Sequence, residues 1–97
     1  MKESGWKENL LSIEELRDQI DLIDSRILEL LNKRATLALL IGEIKQAEDL
    51  PIHVPSRENQ ILERLQNKNR GPLGNEAITR LYQKIIEESR CLEDSAE

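Results

Sequence analysis

One apolar stripe along residues 13–48 constrains the fold of this chain more than any other feature. Pro51 limits the stripe, because a proline is not accommodated in a helix interior. Thirty-six residues at about 1.5 Å each predict a rod of roughly 54 Å, much longer than a domain of this size is wide. Such a rod has to pack against another chain for part of its length or stay exposed. Apolar side chains recur along it every three or four residues, in the heptad rhythm of helices that pack together: Ile13, Leu16, Ile20, Ile23, Ile27, Leu30, Leu37, Ile41 and Ile44.

Residues typical of helix starts divide the chain into three helices. Ser12 and Glu15 have the spacing of a capping box at the start of the long helix. Pro55 suits the first position of a second helix, and Gly74 or Asn75 is expected to cap a third. The sequence has no strand pattern and no internal repeat. We therefore predict an all-α fold, with residues 1–11 as a loose tail and residues 12–97 as one three-helix domain whose long first helix ends near residue 48.

Composition restricts the partners and the compartment. Only 38% of the 97 residues are hydrophobic and Phe is absent, so the core of a lone copy is marginal and an oligomer is expected to supply burial. The net charge is −5 and the basic residues form no run, which disfavours nucleic acid and anionic membranes. A single cysteine, Cys91, and the lack of a signal-like or membrane-spanning segment predict a reducing cytoplasm.

Arg34 stands in the stripe where a hydrophobic residue is expected. A buried charge has to be paired, because its desolvation costs several kcal/mol or more. Two explanations are open: an internal acid, Glu58 or Glu93, neutralises Arg34, or the interior binds an anion. Lys45 lies about 16 Å further along the axis and within about 20° of the same helix face, so the two cations can flank a small anion. Arg17 lies about 26 Å before Arg34 with its face turned by about 100°, so it can serve only the site of a partner chain.

Polar side chains interrupt the apolar faces of the other two helices as well. Glu58, with Arg57 beside it, lies on the apolar line of the second helix, and Ser89 and Glu93 lie on that of the third. Several cations, two acids and a serine on three helices favour a ligand site over a structural ion pair, and the excess of cations suits a dianion. His53 is a lone histidine, so no metal site is expected. The sequence also has no nucleophile–base pair and no phosphate-binding glycine loop.

Five short segments together resemble the all-helical chorismate mutases. They are residues 16–21 (LRDQID), 30–34 (LLNKR), 41–45 (IGEIK), 55–58 (PSRE) and 85–89 (IIEES), and the match extends over residues 12–94 with the motifs in order. The resemblance implies an intertwined homodimeric helical bundle with two equivalent sites. It also implies the isomerisation of chorismate to prephenate, in phenylalanine and tyrosine biosynthesis, without a cofactor.

The resemblance assigns a role to each matching position. It implies that Arg34 binds a substrate carboxylate, that Arg17 of the partner protomer enters the site, and that Lys45 contacts the ether oxygen and a carboxylate. By the same matching, Arg57 is a further cation of the site, Glu58 is the acid that holds the ring hydroxyl, and Ser89 contacts a substrate carboxylate.

Two positions depart from the best-known bacterial pattern. Val54 stands where some members have an aspartate near the ring hydroxyl, so a backbone group of Val54 is expected to replace it. Glu93 stands where many members have a glutamine that donates to the ether oxygen. An ionised carboxylate cannot donate a hydrogen bond, so our hypothesis is that Glu93 acts in its protonated form.

Three alternatives stay open at the level of sequence. An isochorismate-pyruvate lyase or a 4-amino-4-deoxychorismate mutase has the same fold and the same cation set, and Val54 leaves room for a different ring substituent. A helical dimerisation module without chemistry is the third. Association with another enzyme of the pathway is also left open.

Overall fold

The computed structural model describes residues 11–95, and this part of the chain is built from three α-helices. Helix α1 runs over Ile13–Ala47, α2 over Pro55–Lys68 and α3 over Asn75–Ser95, and residues 11–95 contain no strand. The predicted all-α class and the three helices are therefore confirmed. None of the three helices contains a stretch that is long and apolar enough to cross a bilayer. The predicted tail lies, except for Leu11, outside the described residues.

Local features explain where α1 begins and ends and where α2 begins. At the start of α1 the Ser12 amide donates to Glu15 Oε1 over 2.9 Å, and the Glu15 amide donates to Ser12 Oγ over 3.1 Å, which is the predicted capping box. The helix ends at Ala47, one residue before the expected end, and Asp49 has a φ of 57° beyond it. Helix α2 begins at Pro55, as predicted, because its first position needs no amide donor.

The contacts within the chain divide it into two parts, at residues 33 and 34. The described portion of the first part, residues 11–33, is the capping segment and the N-terminal stretch of α1. All of its side chains are exposed in the single chain, including Ile13 at 68%, Ile20 at 54% and Ile23 at 57%. An exposed apolar stripe of this kind is typical of a helix surface that packs against another helix.

The second part, residues 34–95, contains the remainder of α1 together with α2 and α3. Each helix contributes one buried hydrophobic side chain to its core: Ala38 of α1, Ile61 of α2 and Ile86 of α3. The Gln66 side-chain amide donates to Thr79 Oγ1 over 2.8 Å and joins α2 to α3. A core of this size is marginal, as the composition predicted.

Candidate functional site

A cavity of about 430 Å³ lies in the second part of the chain and is lined by all three helices and the α1–α2 loop. Seven of the eight predicted site residues line it. They are joined by apolar side chains, among them Ile41, Ile61 and Ile86. The predicted residues that the fold brings together here are Arg34, Lys45, Val54, Arg57, Glu58, Ser89 and Glu93.

Arg34 is partly buried and contacts a hydroxyl rather than a carboxylate. Its Nη1 donates to Ser89 Oγ, and the Ser89 hydroxyl donates in turn to the Ile85 carbonyl over 2.9 Å. The guanidinium has five N–H donors, so the bond to Ser89 leaves donors for a ligand. Within residues 11–95 no carboxylate lies within 4.0 Å of Arg34. The explanation in which an internal acid neutralises Arg34 is therefore wrong for this part of the chain.

Lys45 and Glu93 form an ion pair at the cavity wall. Lys45 Nζ lies 2.7 Å from Glu93 Oε1, and the side chains of the two residues are only 18% and 15% exposed. Lys45 Nζ also donates to the Ile52 carbonyl over 3.1 Å. An ammonium group has three donors, so one N–H of Lys45 remains for a ligand. The pair holds the ammonium group of α1 against α3.

Glu58 is held by a cation that the sequence-based prediction did not include. Arg90 Nη1 donates to Glu58 Oε2 over 2.7 Å, and the other carboxylate oxygen, Oε1, lies 3.5 Å from His53 Nε2. Arg90 itself lines the cavity. Its place on α3, four residues after Ile86 and three before Glu93, puts it on the same helix face, and this spacing is the signal that could have found it.

Two groups at the start of α2 complete the lining. Arg57 is exposed, and its Nη1 donates to Gln60 Oε1 over 2.8 Å, so this cation also has a neutral partner. The Val54 carbonyl accepts from the amides of Arg57 and Glu58 over 3.0 and 3.2 Å, which uses both of its lone pairs. The backbone group of Val54 that remains for a ligand is therefore its N–H donor.

The charges that line the cavity leave an excess of positive charge. Four cationic side chains, two of them paired with the two carboxylates, give a surplus of two positive charges in a chain whose net charge is −5. The two cations without a carboxylate partner in the described part of the chain are Arg34 and Arg57. Positive charge enclosed by apolar walls attracts anions more strongly than the same charge in water. The cavity is thus suited to a small dianion.

Arg17 is the predicted site residue that the cavity does not contain. It is exposed on α1, in the first part of the chain. Its expected entry into the site of a partner protomer stays a prediction. Among the described residues no group of three or more His, Cys, Asp or Glu side chains is arranged to hold a metal ion.

Comparison with known proteins relates this arrangement to one enzyme family. The chain is 49% identical over 84 residues to a bifunctional chorismate mutase/prephenate dehydratase of Aquifex aeolicus, which covers 82% of this chain and 23% of the relative. It spans between 21% and 23% of the length of this and three further bifunctional relatives. A chorismate mutase of Methanocaldococcus jannaschii is 35% identical over 80 residues, covering 81% of each chain.

A solved structure gives the same relationship at the level of the fold. It is the crystal structure of chorismate mutase from Helicobacter pylori in complex with prephenate, with a TM-score of 0.78 and 38% identity, covering 84% of this chain and 89% of the other. The family model described as chorismate mutase type II matches residues 16–94. This match covers most of the chain and all three helices, and the protein therefore belongs to the type II chorismate mutase family.

Proposed function

We propose that this chain catalyses the rearrangement of chorismate to prephenate in the cavity of residues 34–95. The observation that carries the proposal is the surplus of two positive charges there, with Arg34 and Arg57 free of carboxylate partners within the described residues. Chorismate carries two carboxylates, which match this surplus in sign and number. Arg34 is partly buried, so a charge without an anionic partner is costly there, and a purely structural ion-pair network is expected to pair it.

Arg34 and Lys45 have the donors that substrate carboxylates need. Arg34 keeps most of its guanidinium donors after bonding Ser89, and Lys45 keeps one after bonding Glu93 and the Ile52 carbonyl. Charge-assisted bonds of this kind are short and strong. With Arg57 at the start of α2, they hold the two carboxylates in fixed positions, while apolar side chains of the cavity pack against the ring.

Catalysis then follows from positioning and electrostatics. In the reaction the bond between the ring carbon and the ether oxygen breaks, and the methylene carbon of the enolpyruvyl group forms a new bond to the ring. The ether oxygen becomes a ketone oxygen, and no group leaves the molecule. Holding the compact chair-like conformer removes entropy from the barrier. Negative charge develops on the ether oxygen as the C–O bond breaks. The remaining N–H of Lys45, together with Glu93 in its protonated form, is the proposed donor to that oxygen.

Glu58 and Val54 are suited to the ring hydroxyl. A carboxylate oxygen of Glu58 accepts from the hydroxyl hydrogen, and the unused Val54 N–H donates to the hydroxyl oxygen. The backbone donor of Val54 thereby replaces the aspartate that other members of the family have at this position.

A second copy of the chain is the expected partner of the exposed stripe on α1. Residues 11–33 expose one apolar line in heptad spacing, and such a line buries itself against another helix. In a homodimer of this family the partner protomer supplies Arg17, which adds a third cation to the two unpaired arginines. Enclosure of the cavity by the second copy also strengthens its electrostatics.

The proposal is tested by the rate of chorismate loss, followed by ultraviolet absorbance, in the unmodified protein and in Arg34→Ala. We expect kcat/KM to fall about 100- to 1,000-fold, the usual effect of removing one preorganised donor at a reacting centre. Arg64→Ala is the matched control, because Arg64 is an exposed arginine of α2 outside the cavity lining. An unmodified protein without turnover, or an Arg34→Ala variant as active as the control, contradicts the proposal.

The same assay separates the alternatives when isochorismate and 4-amino-4-deoxychorismate are offered beside chorismate. Faster turnover of isochorismate with release of pyruvate indicates a lyase, and faster turnover of the amino compound indicates the other mutase. No turnover of any of the three, with an intact dimer, indicates a dimerisation module.

A further inference from the structure

We propose that Arg90 is a positioning residue that fixes the carboxylate of Glu58 for the ring hydroxyl of the substrate. The inference rests on the function proposed above and assigns a role to a residue outside the predicted set. It is carried by the contact between the two side chains, by their place in the lining of two cavities and by the charge balance of the site.

The contact between Arg90 and Glu58 is close and partly shielded from water. Arg90 Nη1 donates to Glu58 Oε2 over 2.7 Å, with 35% and 25% of the two side chains exposed. The bond joins α3 to the first turn of α2. It uses Oε2, whereas Oε1 has only the more distant contact with His53, at 3.5 Å, so Glu58 keeps acceptor capacity for a hydroxyl.

Both members of the ion pair line two cavities. Glu58 and Arg90 line the cavity described above and a smaller one of about 270 Å³ between α2 and α3. A glutamate side chain has three rotatable bonds, so an unrestrained Glu58 carboxylate samples both spaces. The bond to Arg90 selects one orientation before the substrate arrives.

Arg90 has a second effect, on the charge of the site, that has to be separated from positioning. Its guanidinium offsets the charge of Glu58, which leaves the charges of Arg34 and Arg57 for the dianion. Removal of Arg90 therefore weakens substrate binding in two ways, by releasing Glu58 and by lowering the positive surplus. Only the first way depends on the presence of Glu58.

A double-mutant cycle distinguishes the two effects. We expect Arg90→Ala to lower kcat/KM for chorismate about tenfold, the effect of losing one charge-assisted hydrogen bond. In the Glu58→Ala background the same change is expected to lower kcat/KM only about twofold, because the group that Arg90 positions is gone and only the charge effect remains. Arg80→Ala, an exposed arginine of α3 outside both cavities, is the control and should leave the rate unchanged.

Each outcome decides the proposal. An equal loss in both backgrounds means that Arg90 acts only through its charge, and an unchanged rate in Arg90→Ala means that it does not act at all; both overturn the inference but not the proposed function. An unmodified protein that does not convert chorismate overturns both. If Arg90→Ala does not fold, Arg90→Lys replaces it: we expect a smaller loss that also disappears in the Glu58→Ala background, and persistence of that loss contradicts the inference.

Discussion

At the scale of single residues, the chemistry of the cavity depends on which charges have partners. Glu93 is paired with Lys45 and Glu58 with Arg90, so neither acid is left for Arg34. Arg34 is held in place by a hydroxyl instead, which orients the guanidinium without offsetting its charge. This division of partners is what separates a binding site from a structural network made of the same residue types.

Glu93 leads to a pH prediction at this scale. In the structure its carboxylate accepts from Lys45, whereas our hypothesis requires a protonated carboxyl that donates to the ether oxygen during the reaction. Protonated carboxyl groups become fewer as the pH rises, so we expect kcat to fall with rising pH. Glu93→Gln donates at every pH and should give a flatter profile.

The measurement for Glu93 is kcat for chorismate over a pH series in the unmodified protein and in Glu93→Gln. Glu63→Gln, an exposed acid of α2 outside the cavity, is the matched control and should keep the pH profile of the unmodified protein. If Glu93→Gln has the same pH dependence as the unmodified protein, Glu93 does not act as the proposed donor.

At the scale of elements, two reciprocal hydrogen bonds define the start of α1. Ser12 and Glu15 satisfy each other's backbone amides, at 2.9 and 3.1 Å, and the four unpaired amides at a helix start make such bonds valuable. The start of α2 has a different solution: Pro55 needs no donor there, and the Val54 carbonyl accepts two amides. In this way helix initiation also places Val54 and Glu58 at the cavity.

Ser12→Ala tests the capping box. We expect the free energy of unfolding to fall by about 1 kcal/mol, the usual cost of losing an N-cap side chain. Ser12→Asp keeps an acceptor and should retain most of the stability, while Ser25→Ala, inside the same helix, should not reproduce the loss. Urea unfolding measures the free energy of unfolding of all three variants. One protein concentration is used throughout, because the stability of an oligomer depends on concentration. Equal midpoints for Ser12→Ala and Ser25→Ala exclude a stabilising cap.

At the scale of the whole molecule, the exposed apolar stripe predicts how the protein assembles. Isoleucines 20, 23 and 27 are 54%, 57% and 47% exposed on the first part of α1. Full burial of an isoleucine side chain is worth about 1.5–3 kcal/mol, and roughly half of that is available here because these side chains are about half exposed. We therefore expect a homodimer through this stripe to compensate for the small core of residues 34–95 and to bring in Arg17 of the partner protomer.

The double variant Ile20→Asp, Ile27→Asp tests the dimer. Two carboxylates in an apolar interface are costly to desolvate, so we expect the mass in analytical ultracentrifugation to fall from dimer to monomer. Chorismate turnover should be lost with it, although every residue of the cavity lining is unchanged. Ser25→Asp adds a carboxylate on the polar side of the same helix and should leave mass and rate unaltered. A double variant that stays dimeric rules out this stripe as the interface.

The local elements could be predicted from the sequence because helix starts and apolar periodicity depend on neighbouring residues. The capping box at Ser12, the start of α2 at Pro55 and the three helices were predicted in this way. Arg34 and Lys45 were predicted as cations on one face of the long helix, and the family resemblance added Val54 and the role of each site residue. Each of these features depends on residues that lie close together in the sequence.

Only the tertiary structure decided which charged side chains pair with each other. Arg90 and Glu58 are 32 residues apart in the sequence, and Lys45 and Glu93 are 48 apart. No local sequence pattern specifies which cation pairs with which acid. Long polar side chains reach several positions from one backbone site, so their pairing depends on how α1, α2 and α3 pack. An excess of cations was expected from the helix faces, but its size follows from the fold, which adds Arg90 to the cavity lining and pairs each acid with one cation.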